Sequence, residues 1–162
     1  MKTKILLSDP SRCTGCRDCE VACSVRHTGV RKTPRTRIQI IGGGQDDGFY
    51  LPTTCQQCVD PPCMAVCPSG AIYRDKNLER VMIKDDLCVG CKMCVSACPT
   101  GAMGLDPDLG RAYKCDLCDG DPQCVRVCDA KALDYTEPVN LQAPRMRQSA
   151  NLLYGVLRRQ VA

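Results

Sequence analysis

The chain has no tryptophan, one phenylalanine (Phe49) and one histidine (His27) in 162 residues. Side chains that fill a conventional core are scarce, and a fold of this size short of apolar burial needs disulfides or metals to hold it. Long apolar runs are missing as well. The N-terminal stretch offers only Ile5, Leu6 and Leu7, too short for the core of a secretory signal, and no twin-arginine pair precedes it. No other stretch approaches the length of a bilayer span. These absences predict a cytoplasmic chain without direct membrane insertion, unless it travels on a partner's signal. A phosphate-binding glycine loop is absent too, because Gly42-Gly43-Gly44 has neither the G-x-G-x-x-G spacing nor a helix after it. There is no Ser-His-Asp set, His27 is expected to be a surface or loop residue and not a ligand, and no catalytic residue is predicted.

Cysteine is abundant instead: sixteen residues, about one in ten. They fall into four runs with none left over. The first holds Cys13, Cys16, Cys19 and Cys23, the second Cys55, Cys58, Cys63 and Cys67, the third Cys88, Cys91, Cys94 and Cys98, and the fourth Cys115, Cys118, Cys124 and Cys128. The first and third follow C-x2-C-x2-C-x3-C. In the second and fourth the middle gap widens to four and five residues, and both long gaps contain an Asp-Pro step, Asp60-Pro61 and Asp121-Pro122. The widening recurs with the same terminal x3-C, so it is a feature and not decay.

The flanks repeat too. "CPSGAI" (67–72), "CPTGAM" (98–103) and "CDAKAL" (128–133) align, and "ILLSDPSRCTGC" parallels "VMIKDDLCVGC". One half-unit has been used four times. Short strands are expected at Ile5–Leu7, Ile72-Tyr73, Val81–Ile83 and Leu133–Tyr135, with turns at Asp75–Asn77 and Asp106–Asp108. Alternation at Ile38 and Ile40 predicts a longer hairpin from Thr36 to Leu51, bent at Gly42–Gly44.

This spacing suits an iron–sulfur cube. Three cysteines at x2 intervals wrap one corner, with the intervening N–H groups facing the anion. The x3 spacing puts the fourth about one helical turn beyond the third, and in two-cluster ferredoxins that cysteine ligates the other run's cluster. Pro68 and Pro99 then stop the local helix. Four zinc sites are the alternative, although zinc usually takes paired C-x2-C units across a longer spacer. A disulfide scaffold fits poorly with a reducing compartment. The formal charge of +4 counts the thiols as neutral; four oxidised clusters at about −2 each bring it to about −4. The basic excess compensates buried anions and does not point to nucleic acid. Lys92, Lys114 and Lys131, beside the cysteine runs, are expected to be solvated charges, the alternative being that one of them raises the potential of a nearby cluster.

With these runs, and with "CQQCVDPPCMAVCPSGAI" in particular, residues 1–137 resemble the four-cluster ferredoxin-like electron-transfer subunits that accompany dimethyl sulfoxide reductases, formate dehydrogenases and hydrogenases. The resemblance implies an α+β fold of interleaved bacterial-ferredoxin-like units, with short β-hairpins and short helices around four [4Fe–4S] clusters. It pairs the first run with the fourth and the second with the third. One cluster would then take Cys13, Cys16, Cys19 and Cys128, and its mate Cys115, Cys118, Cys124 and Cys23. In the other pair, Cys55, Cys58 and Cys63 join Cys98, and Cys88, Cys91 and Cys94 join Cys67. Residues 31–52 form a hairpin insertion. Ser24 and Asp129 stand where the pattern has proline after the fourth cysteine. The family's membrane-facing extension is absent, which argues against a heme-bearing membrane partner.

The compact length and "RIQIIGGGQDDGFYLPTTCQQC" look most like the ferredoxin subunit of tungsten- or molybdenum-dependent aldehyde oxidoreductases. The function this implies is a non-catalytic relay of single electrons in an anaerobic complex, between a tungsten- or molybdenum-pterin catalytic subunit and a flavin or other redox subunit. A free polyferredoxin is the alternative, as is the equivalent subunit of a benzoyl-coenzyme A reductase, formate dehydrogenase or hydrogenase. Residues 138–162 read as a docking tail. Leu152, Leu153, Val156 and Leu157 recur at helical spacing, and either self-association or binding to a neighbouring subunit would use them.

Overall fold

The apolar N-terminal stretch forms strand β1 (Ile5–Ser8), and its partner is the last strand, β8 (Leu133–Thr136). They run antiparallel with Leu6 opposite Tyr135, so the two ends of the described chain are tied together. The structure, a computed structural model, describes residues 4–31, 35–42 and 48–137; the tail beyond 137, with its expected helix, lies outside them. Three more two-stranded antiparallel sheets follow. They are β2 (Ile38–Gly42) with β3 (Tyr50–Thr54), β4 (Ile72–Asp75) with β5 (Arg80–Ile83), and β6 (Gly104–Asp106) with β7 (Arg111–Tyr113). The last two turn where the sequence predicts. The Asp75 carboxylate accepts from Asn77 N–H at 3.2 Å, and that of Asp106 from Asp108 and Leu109 N–H at 2.9 and 3.0 Å, so an Asp side chain caps each bend.

The β2–β3 hairpin ends three residues later than the alternation suggests. Thr54 is buried beside Cys55, and its hydroxyl donates to Arg37 O at 3.0 Å, which carries the pairing on to Ile38 opposite Thr54. Ile38 and Ile40 face inward and Gln39 outward, as the pattern requires.

Each cysteine run contains one helix: α1 (Asp18–Thr28), α2 (Pro62–Ala65), α3 (Met93–Ala97) and α4 (Gln123–Arg126). Three of these are a single turn, but α1 has 11 residues. Proline after Cys67 and Cys98 prevents the chain from continuing as helix. Ser24 after Cys23 does not: its buried hydroxyl bonds back to Val30 O, and the helix runs on until Gly29 closes it at φ 71°. Asp129 has no such effect. After Cys128 the chain still turns, with Lys131 at φ 52° donating its N–H to Cys128 O at 3.0 Å. Gly70 and Gly101 make the same bond to Cys67 and Cys98.

Apolar burial divides into two small cores. Cys19, Cys23, Ile38, Ile40, Cys124 and Leu133 form one, with Cys13 and Cys128 against it. Ile72, Val81, Cys94, Met103 and Ala112 form the other, with Cys63, Cys67, Cys88 and Cys98. Cysteines of runs one and four thus share one core and those of runs two and three the other. α1 packs on α4, and α2 on α3.

Arg80 on β5 joins the two halves. Only 8% exposed, it pairs with Asp75 at 3.2 Å on its own hairpin and with Asp119 at 2.8 Å across the boundary, and donates to Asp116 O. No helix among the described residues is long and apolar enough to cross a membrane.

Two outcomes follow for thermal unfolding measured without oxygen. Arg80→Met strands buried acceptors and costs about 2 kcal/mol, whereas Asp119→Asn, at a carboxylate 66% exposed, costs about 0.5 kcal/mol. Equal effects would show that Arg80 is not the joint. Gly29→Ala, with open space at φ 71°, costs about 1 kcal/mol for the left-handed backbone alone. Gly90→Ala, whose Cβ would stand 2.2 Å from Gly110 O, costs clearly more; a loss no larger than at Gly29 would remove the tight contact.

Candidate metal centres

Every run opens with the same backbone device. Between its first two cysteines a residue adopts the left-handed conformation: Gly15 (φ 73°), Gln57 (φ 50°), Gly90 (φ 67°) and Leu117 (φ 59°). This kink curls the loop so that successive N–H groups line its concave side, a geometry that favours anions. Glycine takes it freely, whereas Gln57 and Leu117 take it at a cost of about 1 kcal/mol.

The two gap lengths start their helices differently. In the short gaps the residue before the helix is itself left-handed, Arg17 at φ 65° and Lys92 at φ 64°. In the long gaps proline does this work in extended conformation: Pro61 precedes α2 and Pro122 precedes α4. Their carbonyls accept from Met64 and Val125 N–H at 3.0 and 3.1 Å. The extra residues bulge outward, with Val59 85% exposed, while Arg74 holds the bulge by donating to Cys58 and Val59 O at 2.6 Å. Pro61 and Pro62 instead line a cavity with Cys55, Cys58, Cys63 and Cys98.

That cavity is one of three alike. Cys55, Cys58, Cys63 and Cys98 line the first. Cys13, Cys16, Cys19 and Cys128 line the second. Cys67, Cys88, Cys91 and Cys94 line the third. The remaining four gather about Cys124, whose thiol is pushed up first by burial and then by Cys115, Cys23 and Cys118. In each set three cysteines come from one run and the fourth from another.

Spacing decides what such a set can hold. No three cysteine sulfurs among the described residues lie within 4.8 Å of one another. Thiolates around one tetrahedral zinc ion would stand about 3.8 Å apart, given Zn–S bonds of about 2.3 Å. The sets are too open for a single ion and suit a cube of several irons.

The electrostatics agree. Burial, followed by the Glu20 carboxylate, pushes the Cys19 thiol up to about 12, and burial pushes Cys115 up to about 11. Such thiols ionise only when a metal cation takes the proton's place. Cys67 and Cys98 behave oppositely. Slight burial raises them, but hydroxyls of Ser69 and Thr100 at 3.7 and 3.6 Å, with backbone N–H groups behind, hold both below the ordinary thiol value. Backbone N–H groups also reach sulfur at Cys23 (from Arg37, 3.2 Å), Cys128 (from Ala132, 3.3 Å), Cys88 (from Ala112, 3.4 Å) and Cys115 (from Leu117, 3.5 Å). Hydrogen bonds of this kind help set a cluster's potential.

Two side chains depart from expectation. His27 is neither a surface nor a loop residue: it lies in the last turn of α1 with its side chain 10% exposed, Nε2 3.6 Å from Asp116 Oδ1 and 3.8 Å from Cys118 Sγ. Its position four residues after Cys23 on the same helix face was the available signal. Burial first, then the Arg37 guanidinium, lowers its pKa. Lys114 is not solvated but 4% exposed, whereas Lys92 and Lys131 are exposed as expected.

Known proteins agree with this geometry. A family described as the 4Fe-4S dicluster domain matches residues 47–138. The chain is 39% identical to Electron transport protein HydN of Escherichia coli (strain K12), covering 91% of this chain and 97% of that protein. It is 40% identical to the beta subunit of an NADH-dependent phenylglyoxylate dehydrogenase of Aromatoleum evansii, covering 82% of this chain but 30% of that subunit. Among solved structures, a benzoyl coenzyme A reductase active site complex, BamBC with 1,5 dienoyl-CoA, shares the fold at TM-score 0.50 and 23% identity, over 98% of this chain and 99% of that one. The cysteine runs, the open quartets and these matches lead to one conclusion: the chain belongs to the 4Fe-4S dicluster domain family and is an iron–sulfur electron-transfer protein carrying [4Fe–4S] clusters.

Proposed function

We propose that this chain is the electron relay of a multi-subunit oxidoreductase and performs no substrate chemistry itself. All sixteen cysteines would serve as ligands, in the four sets that line the cavities. Each cluster, when bound, supplies a centre that takes up and gives back one electron.

The observation that carries a single path is the contact between the halves. The loops that open runs two and four face each other: Gln57 Nε2 donates to Cys115 O at 2.8 Å, and Arg80 reaches Asp116 O from β5. Runs one and three each present one exposed cysteine, Cys16 and Cys91, which runs two and four do not. The four sets then form a line: the sets of runs one and three stand at its ends, and those of runs four and two lie within. Cys16 and Cys91 mark where electrons enter and leave. Of the two inner sets, that of run four is the more buried, through Cys23, Cys115 and Cys124, whereas Cys55, Cys58, Cys63 and Cys98 are half-buried.

The partner at one end is a catalytic subunit of the tungsten- or molybdenum-pterin class, a reading supported by the aldehyde-oxidoreductase-like segment before Cys55. A flavin or similar redox subunit meets the other. Residues 138–162 dock to a neighbour, and the complex works in the reducing cytoplasm, where free thiols persist. A freely diffusing carrier is the second reading, favoured by the near full-length match to a protein named only for electron transport.

Anaerobic purification of the native protein tests the relay. The expected result is about sixteen irons per chain in a stable complex that reduces all clusters when the catalytic partner's substrate is added. A monomer reduced equally by unrelated enzymes would support the free carrier instead. Removing 138–162 should leave the iron in place and abolish assembly, and loss of iron would overturn the docking role.

A further inference from the structure

We propose that Lys114 is the electrostatic coupler of the relay, its buried positive charge raising the reduction potentials of the two inner clusters together. This rests on the four-cluster line above. Lys114 is 4% exposed and lies at the seam. Its ammonium donates to Val81 O on β5, to Cys115 O at 2.7 Å and to Gln57 Oε1 at 3.4 Å. An ammonium has three donors, and here all three end on uncharged oxygens, two of them on the cysteine loops of runs two and four.

A buried charge needs a counter-charge. The nearby carboxylates serve other cations: Asp116 pairs with Arg37 at 2.7 Å, Asp75 with Arg80 at 3.2 Å and Asp106 with Arg35 at 3.0 Å. No carboxylate pairs with Lys114 among the described residues. What remains on either side is cysteine sulfur. Lys114 lines the cavity of Cys55, Cys58, Cys63 and Cys98, and its charge acts on both Cys63 and Cys115. The counter-ions of this lysine are therefore the two inner anionic clusters.

The consequence is specific to the centre of the line. Each transfer moves one electron from a reduced cluster to its oxidised neighbour, so one gains the negative charge that the other loses, and no proton is needed. A cation between the two inner clusters stabilises that charge on either of them, in a low-dielectric site where the effect is strong. The same charge offsets their mutual repulsion when both are reduced. The outer clusters, beyond the seam, feel it less.

The test is a redox titration with a low-potential chemical reductant, following the four one-electron steps by electron paramagnetic resonance. In Lys114→Met two steps should fall by about tenfold in reduction equilibrium, about 59 mV for a one-electron couple, and two should move less. Unchanged potentials, or four steps moving together, would overturn the proposal. Should Lys114→Met fail to retain iron, Gln57→Glu decides. It leaves the ammonium in place and adds a negative charge beside it, so the same two steps should fall, and no shift would sink the idea. Iron content of the unaltered protein separates the two levels: well under sixteen irons per chain would refute the four-cluster line, whereas sixteen irons with unshifted variants would refute only the coupler.

Discussion

A cluster held by three cysteines of one loop and one cysteine of another would tie together stretches of chain far apart in sequence. Cys128 returns to the loop of Cys13–Cys19, and Cys98 to that of Cys55–Cys63. Most other features of the fold serve this crossing. The buried apolar residues include Cys19, Cys23, Cys94, Cys115 and Cys124, so sulfur takes the place that aromatic side chains hold in an ordinary core. The sheets are two-stranded, too small to be stable alone. Each is anchored by the cysteine loop beside it.

Four copies of one half-unit could have given two identical ferredoxin units side by side. Small changes break that symmetry. Ser24 in place of proline lets α1 run past Cys23 and delivers the chain to the β2–β3 hairpin, where Glu20 accepts the Ile40 N–H at 2.6 Å. The widened gaps of runs two and four place proline before the helix and leave Val59, Asp60, Asp119 and Asp121 exposed, and in run four Asp119 is within reach of Arg80. Both changes concern the seam or its approach, where the halves must be held in register for electrons to pass.

The sulfur chemistry was legible because spacing alone encodes it. The runs mark the residues that would ligate, the resemblance names those that would cross, and the flanking repeats point to the strands found as β1, β4, β5 and β8. The Asp106 turn was readable because an Asp side chain caps it locally. Lys114, His27 and Arg80 were not legible in the same way. Their roles come from burial against segments more than thirty residues away, such as Val81 for Lys114 and Asp116 for His27, and beyond the spacing of His27 from Cys23 no local pattern records that. The length of α1 lay between these cases: the missing proline was visible, but the hydroxyl bond from Ser24 to Val30 that carries the helix onward was not.

The crossing itself is open to direct measurement. Crystals of the protein grown without oxygen, with anomalous diffraction recorded at the iron absorption edge, would place every iron against the cysteine sulfurs. The expected result is four compact iron groups, bounded by Cys13, Cys16, Cys19 and Cys128; by Cys115, Cys118, Cys124 and Cys23; by Cys55, Cys58, Cys63 and Cys98; and by Cys88, Cys91, Cys94 and Cys67. An iron group closed by all four cysteines of a single run, or single metal ions in place of groups, would contradict it.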